Sequence, residues 1–426
     1  MTPILKGRDL RGDLTLDVDA VVVGTGAGGS IALRELARAG VNVVGLEEGG
    51  HHTSADFNQR EEQMFPMLFQ EMGGRATDDL AIRVLQGRGI GGSTVHNTNL
   101  CKRIPDEILA AWGARYGVTG VSPAEMRADF ERIEADLSVS EIPSALRNPN
   151  NEALRIGIEA LGWKGGPLKH NRIGCQQSGF CELGCAYDAK QNALKVVVPQ
   201  ALDAGAKVYA DTRAEKITFD GDRVTGIEAV LLDKDGEPQG TLKIRARVVV
   251  LAASAVGSPA LAIASGLPDP FAQTGRALRM HPGAVVAGRF DRILASQYGI
   301  PQSYECTEHL SFEEGSSRRV WIVPAFAHPI GTASTLPGFG ASHMRQMRDY
   351  SRLAVLTAMV HDETAGRVYM DGERARLRYK MLPSDRAQLA LGLQACTRIL
   401  LAAGAREVVV PGIPPRVVRT PRDIAG

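Results

Sequence analysis

The sequence lacks a marked excess of either charge and lacks any apolar run long enough to cross a membrane. Its 49 lysine and arginine residues nearly balance 48 aspartate and glutamate residues, so charge gives no reason to expect nucleic acid or an anionic membrane as a partner. The N-terminus has no charged-then-apolar signal peptide, and no run approaches the roughly 20 apolar residues of a membrane span. We therefore expect a cytoplasmic protein without a transmembrane segment, folded into about two to three domains.

Cysteine is scarce, and six residues in a chain of 426 do not make a disulfide scaffold. Three of the six nevertheless lie close together, at Cys175, Cys181 and Cys185, with the spacing C-x5-C-x3-C. Three thiolates suit a three-iron cluster, or a cubane with an outside ligand, so this segment is a candidate iron–sulfur site. His170 precedes the first cysteine by five residues, which leaves Cys₃His zinc open. Buried thiols without a metal are the third interpretation.

Residues 19–50 carry the most informative pattern of the chain. A short apolar strand is followed by three glycines in the spacing G-x-G-x-x-G, then by a predicted helix from Ser30 to Ala39 and a second strand that ends at Glu47. The glycines permit a tight turn, backbone approach to a pyrophosphate and close packing of the helix on the strand. The helix N-terminus faces the phosphates, and the glutamate is placed to accept ribose hydroxyls. The pattern predicts dinucleotide binding by Gly24, Gly26, Gly29 and Glu47.

A second glycine-rich stretch, from Gln86 to Asn97, indicates which dinucleotide is bound. A nicotinamide enzyme needs only one glycine turn early in its chain, whereas a buried flavin needs a second loop around its ring and pyrophosphate. Small residues in such a loop let the backbone approach a flat or charged ligand. A third element, from Arg247 to Pro259, has the pattern of a buried strand, a small-residue turn and a helix. Together these segments favour FAD and disfavour the alternative of an NAD-dependent reductase.

The order of these three segments resembles the glucose–methanol–choline (GMC) flavin oxidoreductases, and the resemblance extends over nearly the whole chain. Residues Gly87–Asn97 are similar to the first signature of that family, except at His96, where an aliphatic residue is usual. Residues Ser254–Leu267 are similar to the second signature, with departures at Ala262 and at Pro268. The resemblance implies FAD, with its pyrophosphate and ring against the 88–97 loop and its adenine near the strand at 211–217. The cofactor-binding residues it implies are Gly24, Gly26, Gly29, Glu47, Arg88, Gly91, Gly92, Ser93, His96, Asn97 and Ala214.

His96 stands where several members of the family have a histidine bonded to the flavin 8α carbon. The resemblance therefore implies either a covalent flavin link at this residue or simple packing against the ring edge. It places Asn97 near the reactive face of the flavin.

The resemblance also implies a reaction. A base removes the hydroxyl proton of an alcohol or sugar while hydride passes from its CH–OH carbon to flavin N5. The cysteine spacing is similar to that of bacterial FAD-dependent sugar dehydrogenases, which are associated with a [3Fe-4S] centre. A cluster of that kind draws electrons from the flavin toward an acceptor protein or a quinone, which favours a dehydrogenase over an oxidase.

The remaining pattern predicts an α/β (α+β) fold in two domains. A Rossmann-like FAD-binding domain is expected at 1–270, with a cysteine-rich insertion at about 165–190, and a substrate-binding domain at 271–426. In the second domain an amphipathic helix from Ser384 to Ala403 is expected to cover one face of an antiparallel sheet. The short strand-like runs of that sheet are 284–290, 319–327, 353–360, 367–370 and 376–380.

No catalytic residue is assigned from the sequence. In the GMC family the base lies in a segment that follows the substrate domain, and the resemblance places it beyond Gly426. The run His328–Thr332 matches the sequence of the family's His-x-x-Gly-Thr turn, but it comes earlier in the chain than that turn does in the family. Neither His281 nor His361 is assigned the role of base. The alternative to an active enzyme is thus a catalytically incomplete flavin-binding or scaffold protein, or one half of a split enzyme completed by a C-terminal polypeptide.

Overall fold

The computed structural model describes residues 4–325, 328–412 and 414–425. Its α-helices in chain order are α1 Ala27–Arg38, α2 Glu61–Leu68, α3 Asp106–Tyr116, α4 Pro123–Asp136, α5 Pro149–Leu161, α6 Val198–Asp203, α7 Ser254–Ala264, α8 Pro329–Thr335, α9 Gly340–Arg348 and α10 Pro383–Ala402. Its strands are β1 Ile4–Lys6, β2 Gly12–Asp17, β3 Ala20–Val23, β4 Val43–Leu46, β5 Leu100–Cys101, β6 Val139–Glu141, β7 Gly165–Pro167, β8 Lys169–Asn171, β9 Lys207–Ala210, β10 Thr212–Asp220, β11 Arg223–Leu232, β12 Pro238–Arg245, β13 Val248–Leu251, β14 Arg276–Leu278, β15 Gly283–Arg289, β16 Tyr304–Cys306, β17 Val320–Pro324, β18 Leu353–Val360, β19 Gly366–Asp371, β20 Arg374–Arg378, β21 Glu407–Val410 and β22 Arg416–Val418.

The chain forms two compact units, and each contains several separate segments. Unit 1 comprises Met1–Asn97, Glu182–Leu278 and Ala365–Lys380, and unit 2 comprises the segments between and after them. The division thus differs from the single break at residue 270 that the sequence suggested. Residues 98–181 belong to unit 2, in which β5 and β6 each pair with β8, and β7 pairs with β16. The α/β (α+β) fold class is confirmed.

Unit 1 is built around a five-stranded parallel sheet with the order β1-β9-β4-β3-β13. Strands β3 and β4 are short apolar runs that are buried on both faces, as is usual for the centre of a parallel sheet. Helix α1 packs on this sheet through Leu33 and Ala37, which lie in one core cluster with Val22 and Val208. The predicted Rossmann-like arrangement of strand, helix and strand is therefore present.

Two smaller sheets complete unit 1. One has the order β10-β11-β12-β2, and the other has the order β14-β19-β20. The sequence placed the last two strands in the antiparallel sheet of the second domain, and this was wrong. Strand β19 pairs with β14 through Arg276 and Arg367, so the hairpin of β19 and β20 belongs to unit 1.

Unit 2 contains a seven-stranded sheet with the order β22-β21-β15-β18-β17-β16-β7, in which neighbouring strands run antiparallel. The predicted covering helix is α10, which starts at Pro383 and buries Ala395, Cys396 and Ile399 in the core of this sheet. Helix α5 packs tightly on α10, since a Cβ added to Gly157 would lie only 2.3 Å from the carbonyl oxygen of Ile399. The run predicted at 319–327 forms β17, while residues 326 and 327 lie outside the described residues.

Two surface properties of the fold bear on partners. Strand β13 lies at the edge of the five-stranded sheet in the described part of the chain, and Val248 at its start is 48% exposed. Within the same described ranges, none of the helices is long and apolar enough to cross a membrane.

Candidate functional site

The turn between β3 and α1 has the geometry that its glycines predict. Gly24 has a φ of +98°, and its N–H donates to the Leu46 carbonyl at 2.8 Å, so the turn is tied to the neighbouring strand β4. A Cβ added to Gly29 would lie 1.9 Å from the Gly24 carbonyl oxygen, so only glycine permits this approach. Helix α1 begins at Ala27 rather than at Ser30, because the intervening glycines adopt helical conformations.

The three motifs of the sequence meet at this turn. Gly92 has a φ of +52°, and a Cβ added there would lie 2.9 Å from the Cα of Gly26. On the other side, a Cβ on Gly24 would lie 2.5 Å from the carbonyl oxygen of Ala252, in the third segment. The second and third segments thus both contact the first glycine motif through backbone atoms.

The meeting point opens into a cavity of about 540 Å³ in unit 1. Its walls include the first turn of α1, the start of the 92–94 turn, strand β10 and the beginning of α7. Of the residues predicted to bind the cofactor, those that line this cavity are Gly24, Gly26, Glu47, Gly92, Ser93 and Ala214. Those that lie outside its lining are Gly29, Arg88, Gly91, His96 and Asn97. Gly29 and Gly91 instead allow close packing, of Gly29 on Gly24 and of Gly91 on Leu194.

Several lining residues had no signal in the sequence. Met370, Glu373 and Ala375 reach the cavity from the hairpin of β19 and β20, and Arg75 reaches it from the segment after α2. Arg75 donates to the Gln86 side chain at 2.6 Å, which ties that segment to the start of the second glycine-rich stretch. No motif identifies the hairpin positions, because the hairpin of β19 and β20 belongs to unit 1 through the pairing of β19 with β14, which is distant from it in sequence.

Glu47 lies at the C-terminal end of β4 and is only 7% exposed. One carboxylate oxygen accepts from the Thr25 N–H at 3.2 Å and from its hydroxyl at 2.9 Å. The other oxygen accepts from the N–H groups of Gly49 and Gly89, both at 3.1 Å. Burial, together with the nearby charge of Glu48, raises the pKa of Glu47 to about 7. The carboxylate therefore joins both glycine motifs and titrates near neutrality in the cavity wall.

Comparison with known proteins identifies this arrangement. The family model described as GMC oxidoreductase matches residues 18–283, which include all three motifs. The chain belongs to the GMC oxidoreductase family. It is 34% identical over 403 residues to an uncharacterized GMC-type oxidoreductase of Mycobacterium tuberculosis (strain ATCC 25618 / H37Rv), which covers 93% of this chain and 62% of the relative. An uncharacterized GMC-type oxidoreductase of Sinorhizobium fredii is 30% identical over 410 residues, with 95% and 78% covered.

Relatives with named activities are more distant. A long-chain-alcohol oxidase of Arabidopsis thaliana is 28% identical over 403 residues, which cover 92% of this chain and 53% of that protein. The GMC chain thus spans only about half to two thirds of the length of several of these relatives. Among solved structures, pyridoxine 4-oxidase from Mesorbium loti matches with a TM-score of 0.68 at 17% identity, covering 96% of this chain and 85% of its own. Formate oxidase of Aspergillus oryzae matches with a TM-score of 0.64 at 12% identity, covering 92% and 82%. These two structures support the fold.

His96, the departure from the GMC signature, is buried and 6% exposed. Its ring packs on Phe69, with the ring centroids 4.1 Å apart, and its Nε2 has no hydrogen-bond partner among the described residues. Burial and then the charge of Lys190 lower the pKa of His96 to about 3, so the imidazole is neutral at physiological pH. Since His96 is not among the residues lining the cavity, a covalent flavin link at this position remains a prediction.

Arg88, also in the GMC signature, lines a smaller cavity of about 260 Å³ in unit 1 together with Arg213. Its guanidinium donates to the backbone carbonyl of Glu48 at 3.4 Å. The signature arginine thus fastens its loop to the segment after β4.

The cysteine segment of this GMC chain does not have the arrangement expected for a metal. The described residues include no group of three or more His, Cys, Asp or Glu side chains placed to hold a metal ion. The Cys175 thiol accepts instead from the Arg172 guanidinium at 3.3 Å, and the Cys185 thiol accepts from the Ala189 N–H at 3.3 Å. Both ring nitrogens of His170 are engaged, one with the Gln302 carbonyl and one with Arg172. Neither the iron–sulfur site nor the zinc site predicted with Cys181 fits these residues.

We accordingly expect protein purified without oxygen to contain no stoichiometric iron or zinc. Cys175→Ser, Cys181→Ser and Cys185→Ser should each leave the visible spectrum unchanged, because no chromophore depends on the thiols. Metal analysis by inductively coupled plasma mass spectrometry checks this expectation, with Cys396→Ser, a change at a buried core thiol, as the control. Stoichiometric iron together with a broad absorption near 420 nm that disappears in the Cys181 variant would contradict it.

The candidate histidines belong to unit 2, and none of them is among the residues that line the cavity of unit 1. His328 is the N-cap of α8, and its ring stacks on Phe180 at 4.3 Å, where burial lowers its pKa to about 4. The backbone N–H of His281 donates to the Asp362 carboxylate at 3.2 Å, and His361 directly follows β18. These positions support the interpretation that His328–Thr332 resembles the family's His-x-x-Gly-Thr turn in sequence only. The catalytic base stays unassigned.

Proposed function

We propose that this chain binds FAD and serves a GMC-type oxidoreductase that oxidises the CH–OH group of an alcohol or sugar. The observation that carries the proposal is the meeting of all three glycine and small-residue motifs at one cavity, with Glu47 in its wall. When bound, FAD would supply the hydride acceptor. The relatives named as a long-chain-alcohol oxidase and as pyridoxine 4-oxidase support a substrate that carries a hydroxyl group.

The residues of the cavity fit a dinucleotide in their chemistry. Ala27 and Gly28 expose the first turn of α1, and Gly26 at its N-cap has no side chain to satisfy those N–H groups, so the turn is suited to a pyrophosphate. Glu47, at the end of β4 in the cavity wall, is the residue that we expect to accept ribose hydroxyls. Ala214 on β10 supplies a small, apolar wall for the adenine. Ser93, whose hydroxyl accepts from the Gly87 N–H at 2.9 Å, holds the second glycine loop in shape.

The electron acceptor is a separate part of the proposal. Preference for a dehydrogenase over an oxidase depended on the iron–sulfur site, and the cysteine segment does not fit such a site. An acceptor protein, a quinone and molecular oxygen therefore stand as equal candidates. The named oxidases among the relatives make oxygen the first acceptor to assay.

A second candidate function is a flavin-binding protein that needs a complementary polypeptide for catalysis. No histidine lines the cavity among the described residues, so the expected base is not found there. The exposed edge of β13 is a place where a further strand can pair. These two observations favour this candidate as the alternative to an enzyme active by itself.

The deciding experiment is an absorption spectrum of the purified chain, before and after acid precipitation and after reconstitution with FAD. Flavin bands, followed by turnover of long-chain alcohols, pyridoxine or glucose with oxygen or a dye as acceptor, would support the enzyme. Flavin bands without turnover would favour the second candidate. Yellow colour that stays in the acid pellet and is lost in His96→Ala would reveal a covalent link. A protein that stays colourless after reconstitution would contradict both functions.

A further inference from the structure

A lysine lies buried beside the signature loop of the proposed flavin site. Lys190 is only 2% exposed, and it lies in the segment just before the helical turn at Ala193–Val197. Its ammonium donates to the backbone carbonyl of Val95 at 2.8 Å and to that of Asn97 at 2.5 Å. Removing an ammonium from water costs several kcal/mol, so a lysine is retained in such a place only with strong compensating contacts. Here these contacts include the backbone carbonyls on either side of His96.

The residues that follow Lys190 hold the same loop at two more points. The Ala193 N–H donates to the Thr94 hydroxyl at 3.1 Å, and that hydroxyl donates to the Gly91 carbonyl at 2.6 Å. Gly91 lies against Leu194 so closely that an added Cβ would be 2.9 Å from the Leu194 Cβ. Residues 190–194 therefore hold the loop at 91–97, while Gly92 of that loop rests on the first glycine motif.

The charges around Lys190 come from three segments. Its positive charge acts on the buried ring of His96 and on Glu182, whose pKa is raised to about 7 by burial and is lowered in turn by the lysine. Glu61 of α2 is also close enough to Glu182 to raise the pKa of that carboxyl further. The charge of Lys190 thus acts on the Glu182 carboxyl, while its direct hydrogen bonds with the loop go to the carbonyls.

We propose that Lys190 is a positioning residue that fixes the backbone of Val95–Asn97 and so the orientation in which the signature loop meets the flavin. This inference rests on the proposed function, because the loop has a flavin to meet only if the cavity takes FAD. Lys190 acts through the loop, since it is not among the residues lining the cavity.

The test compares Lys190→Met, which keeps the length of the side chain and removes its charge and donors, with Lys190→Arg, which keeps both. The matched control is Lys195→Met, because Lys195 lies five residues away and pairs with Asp188 at the surface. Three quantities are measured: the dissociation constant of FAD for the apoprotein, the visible circular dichroism of the bound flavin, and amide exchange over 91–97 in the apoprotein.

Lys190→Met is expected to weaken FAD binding about tenfold or more, because it removes both charge-assisted hydrogen bonds to the loop carbonyls. It should also alter the visible circular dichroism and speed amide exchange over 91–97. Lys190→Arg should stay closer than Lys190→Met to the unaltered protein in FAD affinity, circular dichroism and amide exchange. Lys195→Met should match the unaltered protein in all three measurements. A lysine that only supports the fold would lower thermal stability and leave the spectrum of bound flavin as it was.

The inference is overturned if Lys190→Met binds FAD within about twofold of the original affinity with unchanged circular dichroism and unchanged exchange over 91–97. Amide exchange in the apoprotein needs no flavin, so it tests the role of Lys190 separately from the proposed function. If the unaltered chain fails to bind FAD, the proposed function falls, while faster exchange in Lys190→Met would still establish that the lysine holds the loop.

Discussion

Gly29→Ala is expected to abolish retention of FAD and to destabilise unit 1, whereas Gly28→Ala leaves the folded protein intact. The two glycines are neighbours in the first turn of α1, but their surroundings differ. A Cβ on Gly29 would lie 1.9 Å from the Gly24 carbonyl oxygen and 3.0 Å from the Ala252 Cβ, while a Cβ on Gly28 meets no protein atom within 4 Å. Overpacking of a core costs about 1–3 kcal/mol, and a backbone overlap of this size belongs at or above the top of that range.

Comparing the two variants separates the effect of packing on stability from the effect of helix propensity, because both variants place alanine in the same helical turn. Thermal unfolding of each apoprotein and the flavin content after purification are the two measurements. We expect a marked drop in the unfolding temperature and loss of flavin for Gly29→Ala. For Gly28→Ala we expect an unfolding temperature equal to or slightly above that of the unaltered chain, since alanine is the better helix former. Equal unfolding temperatures of the two apoprotein variants would refute the packing argument; flavin content is read only for Gly29→Ala, because Gly28 itself lines the cavity.

The local parts of the site could be predicted because each depends on residues close together in sequence. The turn at Gly24, the helix after it and the acid at Glu47 form one strand–helix–strand unit, and their spacing reflects the geometry of that unit directly. The amphipathic helix α10 was predicted within a residue of its observed ends for a similar reason.

The nonlocal parts could not be predicted in the same way. The hairpin of β19 and β20 has the alternating pattern of any half-exposed antiparallel pair, and nothing in that pattern states which sheet it joins. Its pairing with β14 brings Met370 and Glu373 to the cavity. Likewise the buried Lys190 gave no signal, because a lysine in a polar segment ordinarily indicates a solvated surface. The cysteine spacing predicted a metal site, but spacing alone does not fix the arrangement of thiols that a metal requires, and the described residues include no such group.

Glu47 gives the second large effect, a dependence of stability on pH between about 4.5 and 7. The folded protein holds the Glu47 proton up to about pH 7, whereas the unfolded chain loses it near 4.5. In that window the folded state binds more protons than the unfolded state, so the free energy of unfolding falls as the pH rises and levels off above 7. The contribution of this one buried group is about 3 kcal/mol, lost fully above pH 7.

Glu47→Gln removes this titration. The variant loses stability at every pH, because an amide offers one acceptor oxygen to the four donors that surround the carboxylate, but that loss does not vary with pH. The difference in unfolding free energy between the unaltered chain and the variant should therefore shrink by about 3 kcal/mol from pH 4.5 to pH 7.5, as measured by urea denaturation.

The neighbouring Glu48→Gln provides the matched control, since Glu48 also lines the cavity and its charge helps to raise the pKa of Glu47. Removal of the Glu48 charge should lower the folded-state pKa of Glu47, so the window should narrow from its upper end without disappearing. If Glu47 accepts the ribose hydroxyls in its ionised form, FAD affinity of the unaltered chain should also rise between pH 6 and 8 and stay flat in Glu47→Gln. A pH-independent stability difference between the unaltered chain and Glu47→Gln would show that Glu47 is already ionised in the folded apoprotein, and the proton would then play no part in cofactor binding.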